Sequence, residues 1–454
     1  MPITQFRLAN GIPVLFERLE HLHSATIGVW ALVGSRHEAP PQQGISHLVE
    51  HMLFKGTKKR NAREIAEALE FVGGEINAFT SREYSCYWAK ASTDHFHTAC
   101  DVLSDLVVGS QFDEGEFLKE RKVILEEIKM YEDSPEELCM DVLARIVFDQ
   151  SLGHPIVGTT KIIGKMPRKE VFAYYRKMYG PEDMFITVVG NVPESEVRAQ
   201  MEKFIWPDGT KHSKVKPFPN AEYRTGVAAT KKKIEQAHVT IAWPGLPIAA
   251  PNRYLLHVIN AHFGGGMSSV LFQEVREKRG LAYNVYTFLQ SYRDIGLFGI
   301  YCGTSAKQVT EVLKVVKDEV AKLREEGIPE ARLHQMKEQL KGNLLLSLEK
   351  PSFRMTRLGV NHLYFGRMLT VDEVVATIDS INTADVKQLV EQVFGTGYLA
   401  ASGVGNFTKS AITAALGQPG KLLTAKKKTA DMKHDEAHRP RTRSHAAAAR
   451  ARAL

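Results

Sequence analysis

The sequence predicts an α+β protein: two similar domains, each a largely antiparallel sheet covered by helices, followed by a disordered basic tail. Three observations lead there. Apolar runs of period 2 and period 3.6 follow the same order in both halves of the 454-residue chain: strand, helix, strand pair, long helices, final strand. A polar, basic stretch at 206–233, with Pro207, Pro217 and Pro219, separates the halves and reads as a linker. The formal net charge of +7 resides at the end of the chain, where residues 420–454 carry ten Lys/Arg against three Asp/Glu and leave the rest neutral. The expected bounds are an N-terminal domain at 1–205, the linker at 206–233, a C-terminal domain at 234–408 and a tail at 409–454.

Composition narrows the function. A neutral folded part argues against a nucleic-acid-binding core. No run of about eighteen apolar residues occurs, so no membrane span is expected. No basic region followed by an apolar core opens the chain, so neither a secretory signal nor a transit peptide is visible, and a bacterial-type cytoplasmic location is expected. Cys86, Cys100, Cys139 and Cys302 form no Cys-x-x-Cys pair and are expected as free thiols in a reducing compartment.

Residues 4–17 alternate apolar and polar about Asn10-Gly11, a hairpin signal. A buried strand is expected at 25–33. Gly34-Ser35-Arg36-His37-Glu38 then leads into a helix, with His37 read as a surface residue. That helix contains His47-Leu48-Val49-Glu50-His51. The two histidines fall one turn apart on one face, a spacing at which two imidazoles can hold a zinc ion. Glu50 projects from the same side, too close to be a third ligand without strain but able to reach a water on the metal. The order inverts the His-Glu-x-x-His of other zinc hydrolases. An amphipathic helix with two surface histidines also fits these five residues.

Asn61-Ala62-Arg63-Glu64 reads as a capping box, and Gly73-Gly74 ends the helix it opens. Strands are expected at 75–80 and 84–91, and helices at about 94–108, 113–132 and 135–149. The second of these helices takes its apolar positions from Val123, Ile124, Ile128 and Met130. Glu120 and Glu127, seven apart, share a face, and a carboxylate there could complete a His-His-Glu set that leaves a fourth position for water. Glu126 competes by position. His154, in the Gly153-His154-Pro155 turn, reads as structural. A strand at 185–189 and a helix at 193–204 close the first domain.

His47-x-x-Glu50-His51, with Glu127 76 residues after His51, resembles the pitrilysin/insulinase family of metallopeptidases. The likeness is greatest to the short-chain branch that includes the mitochondrial processing peptidase β-subunit and its bacterial relatives, and it spans about residues 5–405. The resemblance implies a half-clam of two such domains, with one zinc per chain held by His47, His51 and Glu127. It implies Glu50 as general base and Glu120 as a supporting carboxylate. It also implies that Asn77, Ala78 and Phe79 form an open sheet edge to which a substrate peptide adds as a strand. From the residues alone an internal strand fits equally well.

The second half begins with a strand at 236–243 and has no His-x-x-Glu-His. Its Gly264-Gly265-Gly266 run lacks the Gly-Lys-Ser/Thr of a phosphate loop. A helix and strand follow, carrying Arg276 and Tyr283. The resemblance matches these to a pair that contacts substrate and the tetrahedral intermediate, and a guanidinium and a phenol can both donate to an oxyanion. A core tyrosine beside a surface arginine is the alternative reading. The expected function is that of a zinc metalloendopeptidase acting on short or unfolded peptides or presequences, as a homodimer or as a heterodimer with a related subunit. A non-catalytic structural or peptide-binding subunit is the alternative.

Overall fold

A computed structural model describes residues 3–148, 152–205, 212–397 and 399–417. Six strands, β1 (Ile3–Arg7), β2 (Pro13–Arg18), β3 (Ser24–Ala31), β4 (Glu75–Thr80), β5 (Ser85–Ser92) and β6 (Met184–Gly190), form a first sheet in the order β1-β2-β6-β3-β5-β4. Five more, β7 (Gly226–Lys231), β8 (Gln236–Gly245), β9 (Ala282–Ser291), β10 (Gly296–Ser305) and β11 (Ala400–Gly405), form a second in the order β7-β11-β8-β10-β9. Only β2–β6 and β7–β11 are parallel. Without β1, the two orders coincide when β2 to β6 are matched in turn with β7 to β11. The duplication, faint in the residues, is thus plain in the topology.

Each sheet is covered by helices. In β3, Ala25, Ile27, Val29 and Ala31 face a core shared with helices α1 (Ile45–Leu53), α2 (Ala62–Glu70) and α3 (Phe96–Gly109). Asn61 and Glu64 form the expected capping box on α2. The opposite face of β3 carries Thr26, Gly28 and Trp30. Trp30 packs with Phe185 against Met355 and Leu358 of the Pro351–Phe365 helix, which belongs to the second half of the chain. The exchange is reciprocal. After α4 (Glu114–Asp133) comes α5 (Pro135–Val147), whose Leu143, Ala144 and Val147 pack on Ala242, Leu297 and Ala400 of the second sheet. Each half lends a helix to the other's sheet.

Several expectations change. The stretch read as a linker contains β7, paired along its length with β11, so the second sheet begins before residue 234. The Lys409–Leu416 helix, buried through Ile412 and Ala415, carries the fold past 408. The remainder of the expected tail, from 418 on, lies outside the described residues, as do 206–211 of the expected linker. On α4, Ile124 and Ile128 are buried but Val123 and Met130 are exposed, because residues seven apart share a face and theirs points outward. His37, expected at the surface, is half-buried. Its ring packs on Phe218 with centroids 5.1 Å apart, its Nδ1 accepts from Gly34 N, and burial pushes its pKa down to about 4. The four cysteines are buried free thiols, and burial raises the pKa of each. Among the described residues, no helix is long and apolar enough to cross a membrane.

Candidate metal centre

α1 is pinned by five residues with no exposure, Ile45, Leu48, Val49, Met52 and Leu53. The remaining face presents His47, Glu50 and His51. The two imidazole centroids lie 4.6 Å apart. α4 crosses this face, buried through Phe117, Glu120, Ile124 and Ile128. Glu127 Oε1 comes within 3.7 Å of His47 Nε2, and Oε2 within 3.5 Å of His51 Nε2. One ligand atom from each of the three lies within 4.8 Å of the others. Tetrahedral zinc with bonds of roughly 2.1 Å holds its ligand atoms about 3.4 Å apart, so one ion fits the set with small side-chain adjustment. Burial, helped by the neighbouring His51, pushes the His47 pKa down to about 3, which keeps the ring neutral as ligation requires. Glu126, the competing carboxylate, points to solvent and pairs with Lys129 at 2.6 Å.

Glu120 sits behind the set. Its Oε2 lies 3.1 Å from His51 Nδ1, and its Oε1 takes Lys55 Nζ at 2.6 Å. Burial opposes ionisation of Glu120, but these bonds outweigh it and hold the pKa below the ordinary carboxylate value. A carboxylate only accepts, so the His51 proton sits on Nδ1 and leaves the Nε2 lone pair toward Glu127. His47 has no such support, and its buried Nδ1 lacks a partner.

Burial raises the Glu50 pKa, opposed by hydrogen bonds from the Thr80 hydroxyl and amide. The carboxylate's Oε2 is buried without a partner. Thr80 ends β4, the last strand of the first sheet, which pairs with β5 alone. Ser81 N donates to Tyr84 O, so alternation turns the polar backbone groups of Ile76, Ala78 and Thr80 to the open side. The Ala78 amide on that side is covered by the Asn77 side chain at 2.7 Å. The Phe79 ring is turned inward against Trp30 and Tyr84.

Arg276 lies on a π-helical turn, Phe272–Glu277, and Tyr283 at the start of β9. They stack, with the guanidinium carbon 5.3 Å from the Tyr283 ring centroid, and the tyrosine is 76% exposed. No hydrogen bond or ion pair among the described residues joins either to His47, Glu50, His51 or Glu127. Sequence reasoning missed Lys55 and Thr80. Lys55 carried a signal, four positions after His51. Thr80 carried none, because its bond to Glu50 is tertiary.

Two imidazoles and a carboxylate that converge in this way are a donor set that zinc accepts. The sequence comparisons name the family. The signature described as Insulinase (Peptidase family M16) matches residues 13–160, and that described as Peptidase M16 inactive domain matches 165–340. The chain is 40% identical to the uncharacterized zinc protease YmxG of Bacillus subtilis over 400 residues, 88% of this chain and 97% of that protein. An uncharacterized zinc protease of Streptomyces coelicolor is 40% identical over 396 residues, 86% of each chain. A crystal structure of a protease from Helicobacter pylori shares the fold, with a TM-score of 0.82 at 22% identity over 89% of this chain and 99% of that one. The chain belongs to peptidase family M16, the insulinase family of zinc metallopeptidases.

Proposed function

We propose that the chain is a zinc-dependent metalloendopeptidase, with His47, His51 and Glu127 as zinc ligands and Glu50 as general base. The convergence of the three ligand atoms within 4.8 Å, with an unpartnered carboxylate oxygen of Glu50 on the same helix face, carries the reading. Zinc held by His47, His51 and Glu127 would supply a Lewis acid that brings the pKa of water from about 15.7 toward about 7. Glu120 fixes the His51 ring. Glu50 Oε2 takes the water's proton and later delivers it to the leaving amine, and Thr80 holds the other side of that carboxylate in place.

The peptide pairs with the open edge of β4 through backbone groups, which suits short or unfolded peptides and presequences of many sequences. Asn77 must release the Ala78 amide for that pairing. Arg276 and Tyr283 donate to the developing oxyanion from a second chain, either another copy or a related subunit. Their exposure, and the absence of a bond between them and the metal face of their own chain, favour this arrangement. Glu50→Gln is expected to retain zinc and lose about 10²- to 10⁴-fold in turnover of an unfolded peptide. Wild-type turnover in that variant would remove Glu50 from the mechanism.

A further inference from the structure

We propose that Glu38 is a positioning residue for the metal centre: its carboxylate clamps the first turn of α1 and thereby fixes His47 in front of His51 and Glu127. The inference rests on the metallopeptidase reading and deepens it.

α1 starts without a cap of its own. Its N-cap residue is Gly44, at φ 92°, which has no side chain to accept from the first amides. A larger residue does not fit, since a Cβ there would lie 2.8 Å from Gly158 Cα and from Val157 O. The acceptor comes from six residues upstream instead. Glu38 Oε2 accepts from Gly44 N at 2.7 Å, and Oε1 from Ser46 N at 2.9 Å. The Glu38 side chain has no exposure, so water cannot replace it. His154 Nε2 donates to Ser35 O at 3.0 Å and lies 3.4 Å from Glu38 Oε2, which ties the 35–38 loop beneath the clamp.

His47 follows Ser46 directly and is the third residue of a helix only nine long. Fraying of the first turn would therefore displace this ligand before His51. A carboxylate at the helix start also opposes the positive end of the helix dipole near a site that takes a cation. Among the described residues the Glu38 carboxylate bonds to Gly44 N and Ser46 N and pairs with His154, and no hydrogen bond or ion pair joins it to His47, His51, Glu127 or β4, so its effect passes through α1.

The test combines zinc release into excess chelator with amide hydrogen exchange of the metal-free protein. Glu38→Gln keeps the size of the side chain but turns one acceptor into a donor facing an amide. At a temperature where the variant is folded by circular dichroism, zinc is expected to leave about tenfold faster than from wild type. Without metal, the first-turn amides of α1 should exchange faster while those of α3 do not. A control such as Leu389→Ala, in the core of the second half and matched for loss of Tm, should release zinc at the wild-type rate. Equal rates for Glu38→Gln and this control overturn the proposal. If Glu38→Gln does not fold, Glu38→Asp is measured in the same way. It keeps the charge at shorter reach, and release faster than the control supports the role while the control rate overturns it. A wild type that binds no zinc removes the metallopeptidase reading and this inference with it. A wild type that binds zinc beside a variant matching the control removes only the role of Glu38.

Discussion

At the candidate centre His51 has a carboxylate behind it and His47 has none. Glu120 holds the His51 proton on Nδ1 and is itself held by Lys55. Replacing it by Gln should weaken zinc binding about 10- to 100-fold in chelator competition, while the fold persists. Unchanged affinity would show that the imidazole needs no anion behind it. The helix repeat puts His47, Glu50 and His51 on one face and Glu120 and Glu127 on another, while the choice of Glu127 over Glu126 and the role of Glu120 come from the family resemblance. The contact of Thr80 with Glu50 could not be read from the chain, because it depends on how β4 lies against α1. His37 was misread for the same reason: its cover comes from Phe218, far along the chain.

Arg36 joins elements that the sequence keeps apart. Its Nη1 donates to Glu83 Oε1 and Asp294 Oδ1, each at 2.7 Å, and its Nη2 to Asp294 Oδ2 at 2.7 Å. Glu83 lies in the β4–β5 turn and Asp294 in the β9–β10 turn, so one buried guanidinium ties the β4–β5 hairpin to the second sheet. Burial opposes ionisation of Asp294, but Arg36 and the Ala221 amide hold its pKa below the ordinary value. A depressed carboxylate stabilises the fold above its unfolded pKa of about 3.9, and that contribution is lost as pH falls through the lower folded value. Asp294→Asn should therefore cost on the order of 3 kcal/mol. The gap in Tm from wild type should be constant between about pH 8 and 5 and shrink below about pH 4; a gap that persists in acid would contradict this. A second joint is apolar. A Cβ on Gly359 would lie 2.2 Å from Trp30 Cζ2, and that ring is stacked on Phe185 and bonded to Thr187. Gly359→Ala should destabilise by about 1–3 kcal/mol in denaturant titration, and a wild-type midpoint would show that the helix can shift. The helical periodicity expected at 135–149 implies a buried face, and no comparable expectation covers 351–365. That periodicity could not say that the covering sheet belongs to the other half.

At the scale of the molecule, the matched strand orders make two copies of one plan, of which the first carries the His-His-Glu set and the second the Arg276–Tyr283 stack. The order of elements was legible in the chain. The entry of β7 was not, since Gly226–Lys231 is short and half glycine and alanine, which are weak strand formers, and its partner, β11, lies near the far end of the fold. If the two parts serve each other between chains, mixing Glu50→Gln with Tyr283→Phe should recover about a quarter of wild-type activity, because random pairing makes half the dimers mixed and each mixed dimer has one complete site. No recovery after subunit exchange would mean that the parts act within one chain or not at all. The metal centre is tested most directly by zinc per chain, measured by mass spectrometry for wild type and Glu127→Gln, with peptide cleavage followed through chelation and zinc return. One zinc per wild-type chain, little in the variant, and cleavage that leaves and returns with the metal are the predicted results. A wild type without zinc, or cleavage indifferent to chelation, would contradict the assignment of His47, His51 and Glu127.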